Sequence, residues 1–199
     1  MQEFSRPLLR PVRQGELGYV RVHLALAVDE LLGAESDFAR FEKARFAGTF
    51  LVSLIEADPG FVVIVQTLQG QRAGFIIGVP EMGAIVLSWG YIEPRFRKGT
   101  LAMRAFGEFV RQWDHRNYDK IIYYALPSNR QSEAIGRHAK FETVGLLRRH
   151  FYGQDFVMYQ KFYNKDLPGY AKLPASKGLS GRMVARFRRL LQSCLKVKQ

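Results

Sequence analysis

Along this chain the spacing of apolar residues changes from a helical period to a strand period and back, and that order most constrains the fold. Leu17, Val20, Leu24, Val28, Leu31 and Leu32 recur three or four apart and predict one helix. Ser36 and Asp37 supply an N-cap for a second helix, which carries Phe38, Phe41, Phe46, Phe50 and Ile55 up to the stop at Asp58-Pro59-Gly60. From Phe61 the pattern becomes β-branched. Strands at 61–67, 73–78 and 84–92 are separated by turns at 68–71 and 80–83, which reads as an antiparallel meander. A helix over 100–116, a strand at 121–126, a helix at 129–139 and strands at 144–151 and 156–162 complete the series, with a short first strand at 8–12. The expected class is α/β (α+β): a mixed, mostly antiparallel sheet of about six to seven strands with helices on both faces.

The 199 residues are enough for one domain with a core, placed at 1–162, and some sequence beyond it. Apolar residues make up 47% and charged residues 24%, the balance of a soluble globular protein. The longest apolar stretch, 17–32, is interrupted by Arg21, His23, Asp29 and Glu30, so no membrane span is expected. The N-terminus lacks a signal-peptide layout, and the expected location is cytoplasmic. Cys194 is the only cysteine, which excludes an intrachain disulfide and a cysteine cage for metal.

The net charge of +12 is spread unevenly. After Tyr163 there are nine basic residues and a single acid, Asp166, and 163–199 reads as a Pro/Gly-punctuated linker followed by a basic amphipathic helix, Arg182–Lys198. Such an arm is either a solvated tail or a docking element for an acidic protein, a larger assembly or nucleic acid. The rest of the chain carries no helix-turn-helix, zinc finger or RNA-recognition strand motif.

Two segments carry chemistry. The first is Tyr91-Ile92-Glu93-Pro94-Arg95-Phe96-Arg97-Lys98-Gly99-Thr100-Leu101-Ala102, a strand end, a turn and a helix start. Such a turn points successive backbone N–H groups at a phosphate, and the helix N-terminus adds partial positive charge. The second is Asn129-Arg130-Gln131-Ser132, followed by Phe141-Glu142-Thr143-Val144-Gly145-Leu146-Leu147-Arg148. Together these segments, in this element order, resemble the GNAT superfamily of acyl-CoA N-acyltransferases over about residues 8–162. The Asn-x-x-Ser form followed by Gly-x-Leu-Arg is especially similar to the branch of ribosomal-protein N-terminal acetyltransferases.

The resemblance implies acetyl-CoA as cosubstrate. It places Tyr91, Ile92, Arg97, Lys98, Gly99, Thr100, Leu101 and Ala102 against the cofactor, with Asn129 on the pantetheine arm and Ser132 near the sulfur. Three positions depart from the family pattern: Thr100 where glycine is usual, Gly136 where many members carry a thiolate-protonating tyrosine, and Lys140 where glycine precedes the phenylalanine.

Acetyl transfer needs a polarised thioester carbonyl, a neutral amine and a proton for the thiolate. Amides of the strand end 89–92 are candidates for the first, with Gly90 permitting local distortion. Glu93, directly or through a water, is the candidate base; Tyr123 and Tyr124 alternate faces on the next strand, and one of them, taken as Tyr124, is the candidate acid. His23, His115, His138 and His150 are scattered and form no metal-ligand spacing, while His150 and Asp155 can pair across the last hairpin. The sequence therefore reads as an N-acetyltransferase with an unspecified amine acceptor. The alternative is a catalytically degenerate GNAT-fold structural protein, resembling small virion-associated proteins of short-tailed bacteriophages and docked through its basic arm.

Overall fold

The computed structural model of the protein describes residues 8–114 and 118–163. The basic helix expected at Arg182–Lys198 and the boundary near residue 163 lie outside or at the limit of the described residues. Twelve elements follow in chain order: β1 Leu9–Pro11, α1 Leu17–Leu32, α2 Asp37–Ala47, α3 Phe50–Ala57, β2 Val62–Gln66, β3 Arg72–Glu81, β4 Ala84–Ile92, α4 Leu101–Arg111, β5 Lys120–Ala125, α5 Arg130–His138, β6 Glu142–Phe151 and β7 Gln154–Phe162. The strands form one seven-stranded sheet in the order β1-β2-β3-β4-β5-β7-β6. Every pairing is antiparallel except β4 with β5. This is the mixed, mostly antiparallel architecture expected from the periods.

Helix α1 buries Val20, Leu24, Ala27 and Val28 and ends where Gly33, at φ +79°, turns its N–H back to the Asp29 carbonyl. Ser36 caps α2 by accepting the Ala39 N–H at 3.1 Å. The single helix expected over 36–57 is instead two, broken at Gly48. The apolar positions explain the break. Steps of four residues drift by about 40° around a helix, so the stripe that starts at Phe38 would have turned away from the sheet by Leu54. A new helix resets the face, and Phe50, Leu51 and Leu54 are all buried.

Strand β3 also runs longer than expected, through Pro80. Strand β2 pairs with β3 only as far as Val62–Ile77, so beyond that point β3 has a neighbour on one side alone, which tolerates the missing proline N–H. The turn contracts to Met82–Gly83, both at positive φ (45° and 81°). The core lies on both faces of the sheet. On one, Tyr91 of β4 meets His23 of α1 at 5.7 Å between rings; on the other, a side chain begun at Gly78 would meet the Phe109 ring of α4.

The short first strand is stapled by charge. Arg10 forks onto Glu16 at 2.6 and 2.7 Å, and Glu16 also accepts the Arg13 N–H at 3.0 Å. These bonds, the guanidinium first, hold the Glu16 carboxyl at about 2, well below its ordinary value of 4.5. Because the folded value lies below the unfolded one, stability from this group is complete above roughly pH 5 and drains away as pH falls toward 2. In urea melts, the wild type should lose about 2 kcal/mol more than Glu16→Gln between pH 6 and pH 2.5. Parallel losses in the two proteins would remove the staple from the account.

Candidate functional site

Strands β4 and β5 pair side by side from Ala84–Lys120 to Leu87–Tyr123 and then part, although β4 continues to Ile92 and β5 to Ala125. The cause lies on the other edge of β4. Trp89 pairs with Ile77 and Leu87 with Gly78, so Ser88 is an extra, unpaired residue in the ladder. A bulge of this kind bends its strand and increases the local twist, which swings the end of β4 away from β5. The distortion expected at Gly90 is therefore at Ser88. Gly90 keeps regular register with Ile76, and nothing lies within 4 Å of where a side chain would start on it.

The direction of the free amides follows from one bond. The Glu93 N–H donates to the Ala73 carbonyl of β3 at 2.8 Å. Antiparallel bonding alternates along a strand, so the N–H groups of Gly90 and Ile92 point away from β3, into the gap that β5 has left. The Ile92 carbonyl on that side accepts Arg97 Nε at 2.8 Å.

Past the strand, a one-turn helix at Pro94–Phe96 leads to Gly99, at φ +99°, and then to α4. The left-handed residue of this turn is thus Gly99, and Thr100, the N-cap of α4, stays at φ −100° with an exposed side chain. Among the described residues no acceptor meets the backbone N–H groups of residues 98–103. A run of unpartnered amides at a helix N-terminus suits an anion by geometry and by dipole.

The side chains expected to help there are divided. Arg97 is committed to α1, where it forks onto Glu30 at 2.5 and 2.7 Å and lies over the Tyr91 ring at 5.3 Å. Arg95 donates to Glu93 at 2.9 Å. Lys98 alone of the three basic side chains has no ionic partner among the described residues, and it is exposed.

Glu93 is not a solvated carboxylate. Its Oε1 accepts the Tyr19 hydroxyl at 2.6 Å and its Oε2 accepts Arg95. Burial by itself would raise its pKa, but the Tyr19 hydroxyl, Arg95 and nearby His23 outweigh burial and hold the carboxyl below its ordinary value. A carboxylate so held is a weak proton acceptor. Beside it stands a histidine that spacing alone does not mark. The His23 ring lies 4.1 Å from the Tyr19 ring, and its Nδ1 is 2.9 Å from the Tyr19 carbonyl oxygen. A carbonyl only accepts, so Nδ1 carries the hydrogen and the neutral ring keeps its lone pair on Nε2. That nitrogen has no partner among the described residues. The available signal was Tyr19 and His23 at i, i+4 on one helix face.

The two tyrosines of β5 part company. Tyr123 faces α5: its hydroxyl donates to the Ser132 carbonyl at 3.1 Å and its ring stacks on Tyr159 at 4.7 Å. A side chain started at Gly136 would lie 1.8 Å from that hydroxyl. The volume a residue at 136 would need is thus filled from the sheet. Tyr124 faces the other way, 5.0 Å from His150 and 5.6 Å from Phe151, and Phe151 in turn stacks on Phe38 of α2 at 5.8 Å. Burial, then the Glu81 charge, raise the Tyr124 pKa, and its hydroxyl makes no hydrogen bond among the described residues.

On α5 the Asn129 Oδ1 is used as the N-cap, accepting the Ser132 N–H at 3.0 Å, which leaves its amide NH2 to offer. Ser132 is half-buried with its Oγ unbonded among the described residues. The same helix ends in a Schellman turn. The Phe141 N–H reaches the Gly136 carbonyl and the Lys140 N–H that of Arg137, with Lys140 at φ +61°. Lysine holds this left-handed position at a cost of about 1 kcal/mol that glycine would avoid. The departure at 140 is accommodated by strain, not by a changed backbone. The expected His150–Asp155 pair does not form, because Asp155 accepts the Arg149 N–H at 2.8 Å.

Among the described residues no cluster of His, Cys, Asp and Glu could hold a metal ion, and no helix is long and apolar enough to cross a membrane. No family model and no curated protein matches the chain. Solved structures do. A ribosomal-protein-alanine N-acetyltransferase from Brucella melitensis superposes with a TM-score of 0.63 at 20% identity, over 78% of this chain and 99% of that one. The ribosomal-protein-S5-alanine acetyltransferase of Vibrio fischeri matches at 0.62 and 13%, over 81% and 97%. A spermidine N-acetyltransferase from Vibrio cholerae, solved with CoA and spermine, matches at 0.60 and 15%, over 79% and 95%. The parted strands, the bulge and the amide-lined turn thus lie in a chain that has the fold of the GNAT acetyltransferases.

Proposed function

We propose that this protein transfers an acetyl group from acetyl-CoA to an amine. The single observation that carries the proposal is the run of unpartnered amides over 98–103 beside the gap where β5 leaves β4. Acetyl-CoA supplies the activated acyl group. Amides of Lys98, Gly99, Thr100, Leu101 and Ala102 suit its pyrophosphate, with Lys98 adding charge. Gly90 and Ile92 offer their N–H groups to the pantetheine and the thioester oxygen, Tyr91 backs that edge, and Asn129 offers its amide from across the gap. Arg97 serves as a brace between the turn and α1.

His23 Nε2 takes the amine proton. Glu93, kept ionised by Tyr19 and Arg95, stands beside that ring. Tyr124 or Ser132 returns a proton to the departing thiolate. Structural neighbours named for a ribosomal-protein alanine and for spermidine support an amine acceptor and leave its identity open.

The test is a thermal melt with added acetyl-CoA. Ligand at a hundred times its Kd stabilises by about 2.7 kcal/mol, or roughly 5–10 °C for a domain of this size. A flat titration to millimolar concentration would leave only a scaffold of this fold.

A further inference from the structure

The hairpin of β6 and β7 carries an irregularity that acetyl transfer as such does not require. Leu147 pairs with Phe156 and Phe151 with Gln154, so Arg148, Arg149 and His150 stand against Asp155 alone. The bulge is held in one shape. Arg149 adopts φ +49°, unfavourable for a residue with a side chain, and Asp155 fixes it by accepting its N–H. All three bulged residues are exposed. Their position is set by His150, whose ring lies against Tyr124, the first β5 residue past the last β4–β5 pair. Tyr124 faces α2 through Phe151 and Phe38, so the bulge borders the mouth of the gap on the face opposite Tyr123 and α5.

The charges around that mouth are unevenly satisfied. The three basic residues of α2, the facing wall, are all neutralised: Arg40 by Asp37, Lys43 by Asp29 at 2.7 Å and Arg45 by Glu42 at 3.3 Å. Arg148 and Arg149 have no carboxylate partner among the described residues. Two adjacent unpaired guanidinium groups on a strained, pinned bulge suit the forked recognition of a carboxylate or phosphate. Strand β6 is also the outer edge of the sheet and exposed over most of its length, which leaves room for an extended chain.

We propose that Arg148 and Arg149 form a subsite for an anionic group on the acceptor, and that the acceptor is a peptide whose first residues include an acidic or phosphorylated side chain. This rests on the acetyltransferase reading for the role of the amine, whereas binding of the peptide can be measured without it. Labelled hexapeptides carrying Glu, phosphoserine or Gln near a free N-terminus would be titrated by fluorescence anisotropy into the full chain. The acidic peptides should bind at least about tenfold more tightly than the Gln peptide, and the gap should close to within about threefold in R148Q/R149Q. A stronger response to phosphoserine than to Glu assigns the site to phosphate, and equal responses assign it to carboxylate. Acidic and neutral peptides binding within threefold of each other in the wild type overturns the proposal. So does a gap that survives R148Q/R149Q, tighter binding of a single-stranded oligonucleotide than of any peptide, or loss of the acetyl-CoA melting shift in that variant. Failure of the acetyl-CoA shift in the wild type, with the peptide gap intact, would instead remove the enzyme reading and keep the subsite.

Discussion

Gly74→Ala is expected to destabilise the protein by at least about 3–4 kcal/mol, near the upper end of single-substitution effects. A Cβ at residue 74 would lie 1.9 Å from the Tyr91 carbonyl oxygen, 2.9 Å from its carbon and 3.0 Å from the Ile92 Cα. All three are backbone atoms of β4, held in register with β3 by the Phe75–Tyr91 pairing, so no side chain can swing aside to make room. The strand that would have to move is the one whose other edge lines the gap. Gly78→Ala, on the same strand, is the matched control. Its Cβ meets the Phe109 Cζ at 2.8 Å and the Ile85 Cγ2 at 3.2 Å, and side chains can give way, so about 1–3 kcal/mol is expected. Urea midpoints of the two variants decide the matter. A Gly74→Ala loss no larger than that of Gly78→Ala would mean β3 and β4 do not approach this closely.

The second large effect concerns Gly136, which has no room for a side chain. Gly136→Ala should cost about 2–3 kcal/mol, because the new methyl group would sit 1.8 Å from the Tyr123 hydroxyl. Tyr123 cannot easily retreat, being buried and stacked on Tyr159 and hydrogen-bonded to the Ser132 carbonyl. Tyr123→Phe alone should cost about 1 kcal/mol for the lost bond. In the double variant the closest atom becomes the ring carbon, at 2.9 Å, so its loss should fall short of the sum of the two single losses by at least about 1 kcal/mol. Strict additivity would show that the hydroxyl is not what excludes a side chain at 136.

Much of the fold was legible because it depends on local periods. The α1 stripe, the β2–β3–β4 meander, α5 and the last hairpin all follow from apolar spacing and turn residues. Where the reading failed, a neighbour decided. The break at Gly48 reflects the direction of the sheet under α2 and α3, and the passage of β3 through Pro80 reflects where β2 stops. In the candidate site, the turn after β4 and the helix start that follows could be anticipated from their own residues, since backbone amides and a helix start are local properties. The partners of its side chains could not: Arg97 is braced by Glu30 from 67 residues away, and Glu93 by Tyr19 from 74.

A buried carboxylate marks the same limit. Glu42 lies in α2, and nothing in its local spacing marks it for burial. Trp89 of β4 donates to it at 2.7 Å, and it is 5% exposed. Residue order alone anticipated about six to seven strands, four helical runs in 1–162 and one amide-rich turn, because each arises from contacts within a few positions. Only the folded chain could place the bulge at Ser88, part β4 from β5, set His23 of α1 against Tyr91 of β4 and fill the space at Gly136 with Tyr123. Those are relations between residues far apart in sequence, set by packing and hydrogen bonding that no local period encodes.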